Sequence, residues 1–269
     1  MPSNPYKTIE RGEAGQIGWR IHYFDEVAST QRLAAEMAAE GAAQGTVLIA
    51  ELQTAGRGRM GRSWHSPAGV NLYSTTILRP SMPLAEVPRL SLMAGLAAAE
   101  AIESVAPGIV SLKWPNDVWL KRRKAGGIIA EAVTDSRQRL SCVLLGIGIN
   151  VNLAPEDIPE DLRDKATSIR IATGRHCDRI ELAAALFNRL NSRYMETEEG
   201  GFAAVRPAYE RYMALRGRRV AVIDEGTRIE GAIEGIDEDG ALRLASANGP
   251  VRVLTGDVTV EGAYDQLNQ

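Results

Sequence analysis

The sequence predicts an α+β protein: a mixed or antiparallel sheet with helices, followed by a small all-β barrel. Three observations predict it. Strand-like runs at 109–113, 127–133 and 140–149 succeed one another with no helix between them, which disfavours a doubly wound sheet. Helical periodicity is confined to a few separate stretches. After Gly217 the texture changes to short strand-like runs broken by Asp239-Gly240 and Asn248-Gly249, dipeptides suited to hairpin turns.

In chain order, residues 30–41 read as a helix with a stripe through Leu33 and Met37, Ser29 as its N-cap and Gly41 as its stop. Thr46–Leu52 reads as a buried strand and Asn71–Leu78 as a second, with a polar Gly- and Arg-rich loop between them to about Pro67. Residues 89–105 are apolar nearly all round, which predicts a helix buried on most sides. The stretch 152–178, richer in Pro, Asp and Thr, reads as a connection. Helices are expected again at 179–196 and 202–214.

A length of 269 residues fits one large domain plus one small one, with no need of disulfides or metals for stability. A hydrophobic share of 45% excludes disorder, collagen and coiled coil. The net charge of -3 argues against a general nucleic-acid or membrane-surface binder. Cys142 and Cys177 have neither CxxC spacing nor metal-ligand spacing to His22, His65 or His176, so a reducing compartment is expected. No run of 18 apolar residues and no N-terminal apolar segment occurs, which points to a cytoplasmic protein with no membrane partner. Only Lys7, Lys113, Lys121, Lys124 and Lys165 are lysines among 31 basic residues. Codon bias toward arginine accounts for that skew.

Four segments have the residue types for chemistry. In Gly56–Trp64 (GRGRMGRSW), three glycines allow close backbone approach, and three arginines offer forks for phosphate or carboxylate. An Arg-rich surface loop with turn glycines fits the same residues. It is neither a Walker A loop nor a dinucleotide fingerprint. In Lys113–Asp117 (KWPND), Asn116 and Asp117 present an amide and a carboxylate side by side, and Asp117 suits Mg²⁺ shared with substrate phosphates. A turn whose side chains bond their own backbone is the alternative. At Lys124–Glu131 a lysine enters a strand through Gly126-Gly127, so a ligand could lie against bare backbone beside an ammonium. Otherwise residues 121–124 (KRRK) are a solvated charge run and the glycines a bulge. In Gly146–Asn152 (GIGINVN) glycines alternate with isoleucines, leaving one strand face bare for a ligand or for a packed helix.

Taken in order, these segments resemble the biotin–protein ligases. That family shows a Ser-Thr-Asn/Gln motif opening a helix, a GRGRxGRxW loop, KWPND, K-x-x-G-I and G-x-G-I-N. Here they stand as Ser29–Gln31, Gly56–Trp64, Lys113–Asp117, Lys124–Ile128 and Gly146–Asn150. The resemblance runs from about residue 20 to 155 and, more weakly, from 216 to 262. It implies an N-terminal extension over 1–19, a catalytic biotin/lipoate ligase-like domain over 20–214 and an SH3-like barrel over 215–269. The implied reaction has two steps: biotin and ATP, with Mg²⁺, form biotinyl-5′-AMP, and a lysine of a biotin carboxyl carrier protein domain then takes the biotin. By match of motifs, Ser29, Thr30, Gln31, Gln53, Gly56, Arg57, Gly58, Arg59, Lys124 and Gly127 would bind biotin. Arg59, Arg62, Trp64, Asn116, Lys124 and Asn150 would bind ATP, and Asp117 the Mg²⁺. Lys124, Arg57 and Arg59 would be catalytic.

Two departures from the family pattern stand out. Met60 occupies a position where many members carry a further basic residue, so the loop has one charge fewer. Only about 20 residues precede the family-like core, which leaves no room for the winged helix-turn-helix of the repressor members; no DNA partner is expected. Family members occur as monomers and as homodimers. A lipoate or octanoate ligase of the same fold is the nearest alternative, and a non-catalytic nucleotide- or nucleic-acid-binding module using the Arg loop and barrel is the alternative from another class.

Overall fold

The computed structural model describes residues 4–9, 17–224 and 226–260. The expected N-terminal extension therefore lies outside the described residues at 1–3 and 10–16, as does the expected barrel at 225 and 261–269.

The first strand, β1 (Arg20–Val27), runs parallel to β2 (Thr46–Gln53), because α1 (Thr30–Ala39) carries the chain back between them. All other pairings are antiparallel, and the seven-stranded sheet is ordered β1-β2-β3-β7-β6-β5-β4. Its remaining members are β3 (Leu72–Leu78), β4 (Val110–Lys113), β5 (Asp117–Leu120), β6 (Arg123–Thr134) and β7 (Leu140–Ile149). β3 is buried along its whole length, as befits a central strand. The mixed α+β class expected from the sequence is the one observed.

Strands β1 and β5 were not expected, and each has a physical reason for escaping notice. β1 carries an irregular edge-strand pattern in which mainly Ile21 is buried. β5 is four residues long and joins β6 through Lys121 and Arg122, both with positive φ (48° and 68°). That is the geometry of a two-residue primed hairpin, formed here without the glycine or asparagine that usually signals it.

Helix α2 (Val87–Glu103) lies between the sheet and α4 (Arg179–Tyr212), which explains its apolar character on nearly every side. The two helices expected at 179–196 and 202–214 form one run, broken at Gly201, where φ is +65°. Asp178 caps it by accepting hydrogen bonds from the Ile180 and Glu181 N–H groups at 2.7 and 3.1 Å. The connection between β7 and α4 contains two 3-10 turns (Pro155–Asp157 and Glu160–Leu162) and one short α-helix, α3 (Ile169–Thr173).

The C-terminal strands β8 (Arg219–Asp224), β9 (Thr227–Ile236), β10 (Leu242–Ser246), β11 (Gly249–Val253) and β12 (Asp257–Val260) form an antiparallel sheet ordered β11-β10-β9-β8-β12. This small β unit is tied to the larger one at its Asp239-Gly240 turn. The buried Trp114 indole donates to the Gly240 carbonyl at 3.0 Å, and Arg89 meets Asp239 at 2.8 Å. Gly240 has φ +80°, and a Cβ there would lie 2.5 Å from Leu92 Cδ1 and 3.5 Å from the Phe202 ring. Gly240→Ala is therefore expected to cost about 1–3 kcal/mol, from the left-handed backbone and the overpacked seam. Urea unfolding checks this; an unchanged midpoint would contradict it.

Candidate active site

The site is built on the bare centre of the sheet. In the β6–β7 pairing Gly127 faces Gly148 directly, and in the β3–β7 pairing Thr75 faces Gly146. Ile147 and Ile149, one residue out of phase, point into the core. The alternating glycines thus leave a side-chain-free floor on the face opposite α2. A Cβ on Gly148 would stand 2.8 Å from Trp64 Nε1, one on Gly127 3.2 Å from the Trp64 ring, and one on Gly146 2.7 Å from Gln31 Oε1. The indole therefore rests on backbone.

One end of this floor is closed by a polar network. Gln53 Oε1 accepts from the Thr30 N–H at 2.9 Å and from its hydroxyl at 3.1 Å, while Gln53 Nε2 donates to Ser66 at 3.0 Å. Gln31 Nε2 donates to Glu131 at 2.8 Å and to the Leu144 carbonyl at 3.0 Å; its Oε1 accepts from Thr75 at 3.1 Å. Ser29 occupies the expected N-cap position of α1 in extended backbone, but its side chain makes no capping bond. Its buried hydroxyl and the Trp64 indole Nε1–H lack a hydrogen-bond partner among the described residues. Two buried polar atoms at one cavity are sites for a ligand's polar groups.

Three further segments converge on the other end. The Gly56–Trp64 loop folds back on itself: Gly58 N–H donates to Arg62 O at 2.6 Å and Trp64 N–H to Gly56 O at 2.9 Å. Met60 forms the tip with φ +55° and is 72% exposed. Arg59 donates to Asn116 Oδ1 at 2.8 Å, and Asn116 Nδ2 donates to the Ile128 carbonyl at 3.1 Å. Lys124 Nζ lies 2.6 Å from Asp117 Oδ1 and 5.4 Å from the centre of the Trp64 ring. Asn116 and Asp117 thus bond to other strands and loops rather than to their own turn. Of the basic run, Lys121, Arg122 and Arg123 are exposed and only Lys124 turns inward. Burial pushes the Lys113 ammonium below the usual lysine range; Asp117 opposes this shift, and Lys124 adds to it.

These residues line two joined cavities. The smaller, about 480 Å³, takes in Ser29, Thr30, Gln31, Gln53, Arg57 and Gly127 together with Thr75 and Gly146. The larger, about 1350 Å³ with its open mouth, takes in Arg62, Lys113, Asp117 and Asn150, with Leu153, Ile158 and Leu162 as an apolar wall. Gly58, Arg59, Trp64, Asn116 and Lys124 border both. Gly56 lines neither; a Cβ there would lie 2.5 Å from the Trp64 carbonyl, so its place is under the loop. Among the described residues no group of three or more His, Cys, Asp or Glu side chains is arranged to hold a metal.

Residues 23–150 match the biotin/lipoate A/B protein ligase family, and residues 216–260 match the biotin protein ligase C terminal domain. The bifunctional ligase/repressor BirA of Bacillus subtilis is 36% identical over 242 residues, covering 90% of this chain and 74% of its own length. The biotin–[acetyl-CoA-carboxylase] ligase of Mycobacterium tuberculosis is 33% identical over 249 residues, covering 90% of this chain and 89% of its own. The chain belongs to the biotin protein ligases. Among solved structures, the biotin protein ligase from Aquifex aeolicus in complex with biotin and ATP is similar, with TM-score 0.78 and 33% identity over 89% of this chain and 97% of that one.

Sequence reasoning on this biotin protein ligase missed three contributors to the site. Thr75 sits mid-strand between Ser74 and Thr76, with only its register opposite Gly146 to mark it. The segment carrying Leu153, Ile158 and Leu162 was read as a plain connection, and its apolar spacing was the available clue. Asp257, at the start of β12, reaches the cleft from the C-terminal unit: it pairs with Arg62 and lies 4.0 Å from Arg59. No local signal distinguishes it from any other strand-end aspartate.

Arg62 is 63% exposed at its side chain, so its pair with Asp257 adds little to stability. Asp257→Ala is expected to change unfolding free energy by less than about 1 kcal/mol. It should nonetheless speed tryptic cutting at Arg57, Arg59 and Arg62, because the loop loses its tether. Mass-mapped limited proteolysis reads this, and unchanged cutting would show that Asp257 does not restrain the loop.

Proposed function

We propose that this ligase forms biotinyl-5′-AMP from biotin and ATP and passes biotin to a lysine of a biotin carboxyl carrier protein domain. The observation that carries the reading is the meeting of the two cavities at Lys124. The smaller, glycine-floored cavity suits a compact ring system with polar edges, and its orphan Ser29 hydroxyl suits a ureido group. Gln53, Thr30 and Gln31 shape that end of it. The larger cleft suits a nucleotide: its apolar wall can take a base, and its cations can take phosphates.

The chemistry requires two anions to meet. A carboxylate oxygen of biotin attacks the α-phosphorus, and the bond to the bridging oxygen breaks with its electron pair leaving on pyrophosphate. Lys124 stands where that repulsion is greatest, and its Asp117 contact holds the ammonium in place before substrates arrive. Arg57 and Arg59 place further positive charge along the loop, and Trp64 excludes water from the floor. In the second step the acceptor's lysine nitrogen attacks the acyl carbon, an amide forms and AMP leaves, so no nucleophile of this chain is needed.

Mg²⁺ suits Asp117, since this ion takes one or two protein carboxylates and completes its shell with phosphates and water. Bound there it would neutralise phosphate charge. Residues 20–214 act as the catalytic unit and 215–269 as an appended barrel that lends Asp257 to the cleft. The protein works in the cytoplasm; no helix among the described residues is long and apolar enough to cross a membrane.

ATP–pyrophosphate exchange should depend on biotin, and a streptavidin blot should show transfer to a purified carrier domain. Exchange driven by lipoate instead would overturn the biotin assignment. Lys124→Ala is expected to lower adenylate formation at least about 100-fold with the fold intact; wild-type exchange in that variant would remove Lys124 from the mechanism. Biotin with ATP should also protect the 56–64 loop from trypsin, and equal cutting with and without them would refute a closing lid.

A further inference from the structure

Among the described residues two carboxylates line the larger cleft, Asp117 and Asp257. Asp117 belongs to the catalytic unit and holds Lys124. Asp257 comes from the C-terminal unit, where it opens β12 and stands opposite Ile223 of β8. From there it pairs with Arg62 and lies 4.0 Å from Arg59. It therefore occupies two of the cations on the nucleotide side.

A carboxylate in that position opposes the reaction. The triphosphate of ATP is a polyanion, so a carboxylate left among its cations repels it and takes up their donors. Asp257 either leaves when the nucleotide arrives or weakens its binding, and the strength of the contact decides which. The Arg62 and Asp257 side chains are 63% and 30% exposed, so solvent screens the pair, and it biases an equilibrium by no more than about fivefold. A triphosphate brings several charge-assisted hydrogen bonds and outcompetes it. The backbone of Asp257 is held in the β8–β12 ladder, so rotation of the side chain is enough to free the arginines. The other ion pair of the cleft is of another kind: Lys124 and Asp117, 34% and 15% exposed, meet at 2.6 Å within one sheet.

We propose that Asp257 is an anion placeholder: it engages Arg62 and Arg59 before ATP binds, and the phosphates displace it. The C-terminal unit thereby sets the apparent affinity for ATP by competition. The inference rests on the adenylation reading above. Asp257 acts through the arginines and not on the reacting atoms, so it is a positioning residue.

Asp257→Asn removes the charge and keeps the shape. It should lower the KM for ATP in biotin-dependent pyrophosphate exchange about three- to fivefold. Asp257→Glu, which still offers a carboxylate to an arginine fork, should stay within about twofold of wild type. In an Arg62→Gln background the gain from Asp257→Asn should shrink below about twofold, because the partner is gone. A KM that rises or stays unchanged in Asp257→Asn overturns the placeholder. So does an equal gain with and without Arg62, which would mark plain repulsion of the nucleotide. Both results leave the adenylation reading standing, whereas absence of biotin-dependent exchange in the wild type overturns both.

Discussion

An ammonium held 2.6 Å from a carboxylate where two cavities meet, Lys124 on Asp117, is the contact around which the site is arranged. Everything nearby serves to make that meeting place. Lys124 arrives there because the Lys121-Arg122 turn reverses the chain and starts β6 one residue earlier. Asp117 arrives because the Trp114–Asn116 turn brings the chain from β4 into β5. Gly127 and Gly148 leave the space, and Trp64 fills it from the far loop. A side chain at either glycine would lift the indole and part the two cavities from their common wall.

The same centre explains why the molecule places cations in excess and then restrains them. Joining a carboxylate to a phosphate needs fixed positive charge in a site poor in water. Fixed cations repel one another, and three of them are held by acceptors from different elements: Lys124 by Asp117 of β5, Arg59 by Asn116 of the preceding turn and Arg62 by Asp257 of β12. The C-terminal unit is therefore more than an attachment. Its Gly240 carbonyl accepts from Trp114 in the turn between β4 and β5, and its Asp257 reaches the Gly56–Trp64 loop through Arg62. A buried hydrogen bond and ion pairs through Arg62 and Arg89 thus join the two units.

Much of the chemistry was legible before any coordinates. The alternating glycines of 146–148 announced a bare face, whereas Lys124 was set apart from the rest of 121–124 only by the family resemblance, since a solvated charge run fitted the same residues. Ser29 was legible as the start of a helix, though not as a residue whose hydroxyl is withheld from capping. Short elements were not legible. β5 has too few residues for periodicity to register, and its hairpin uses basic residues in left-handed backbone where the sequence offers no turn signal.

By itself, then, the sequence determined the α+β class, the bare strand face and the residue types that meet two anions, because glycine spacing and charge are local properties of the chain. Only the tertiary structure decided which of those charges are already paired. Asp117 chooses Lys124 over Lys113, and Arg62 finds a partner 195 residues away in Asp257. Pairing over such separations depends on strand order and register, which no local pattern encodes. That is why Lys113 has no carboxylate within 4.0 Å among the described residues, although Asp117 stands opposite it in the β4–β5 register.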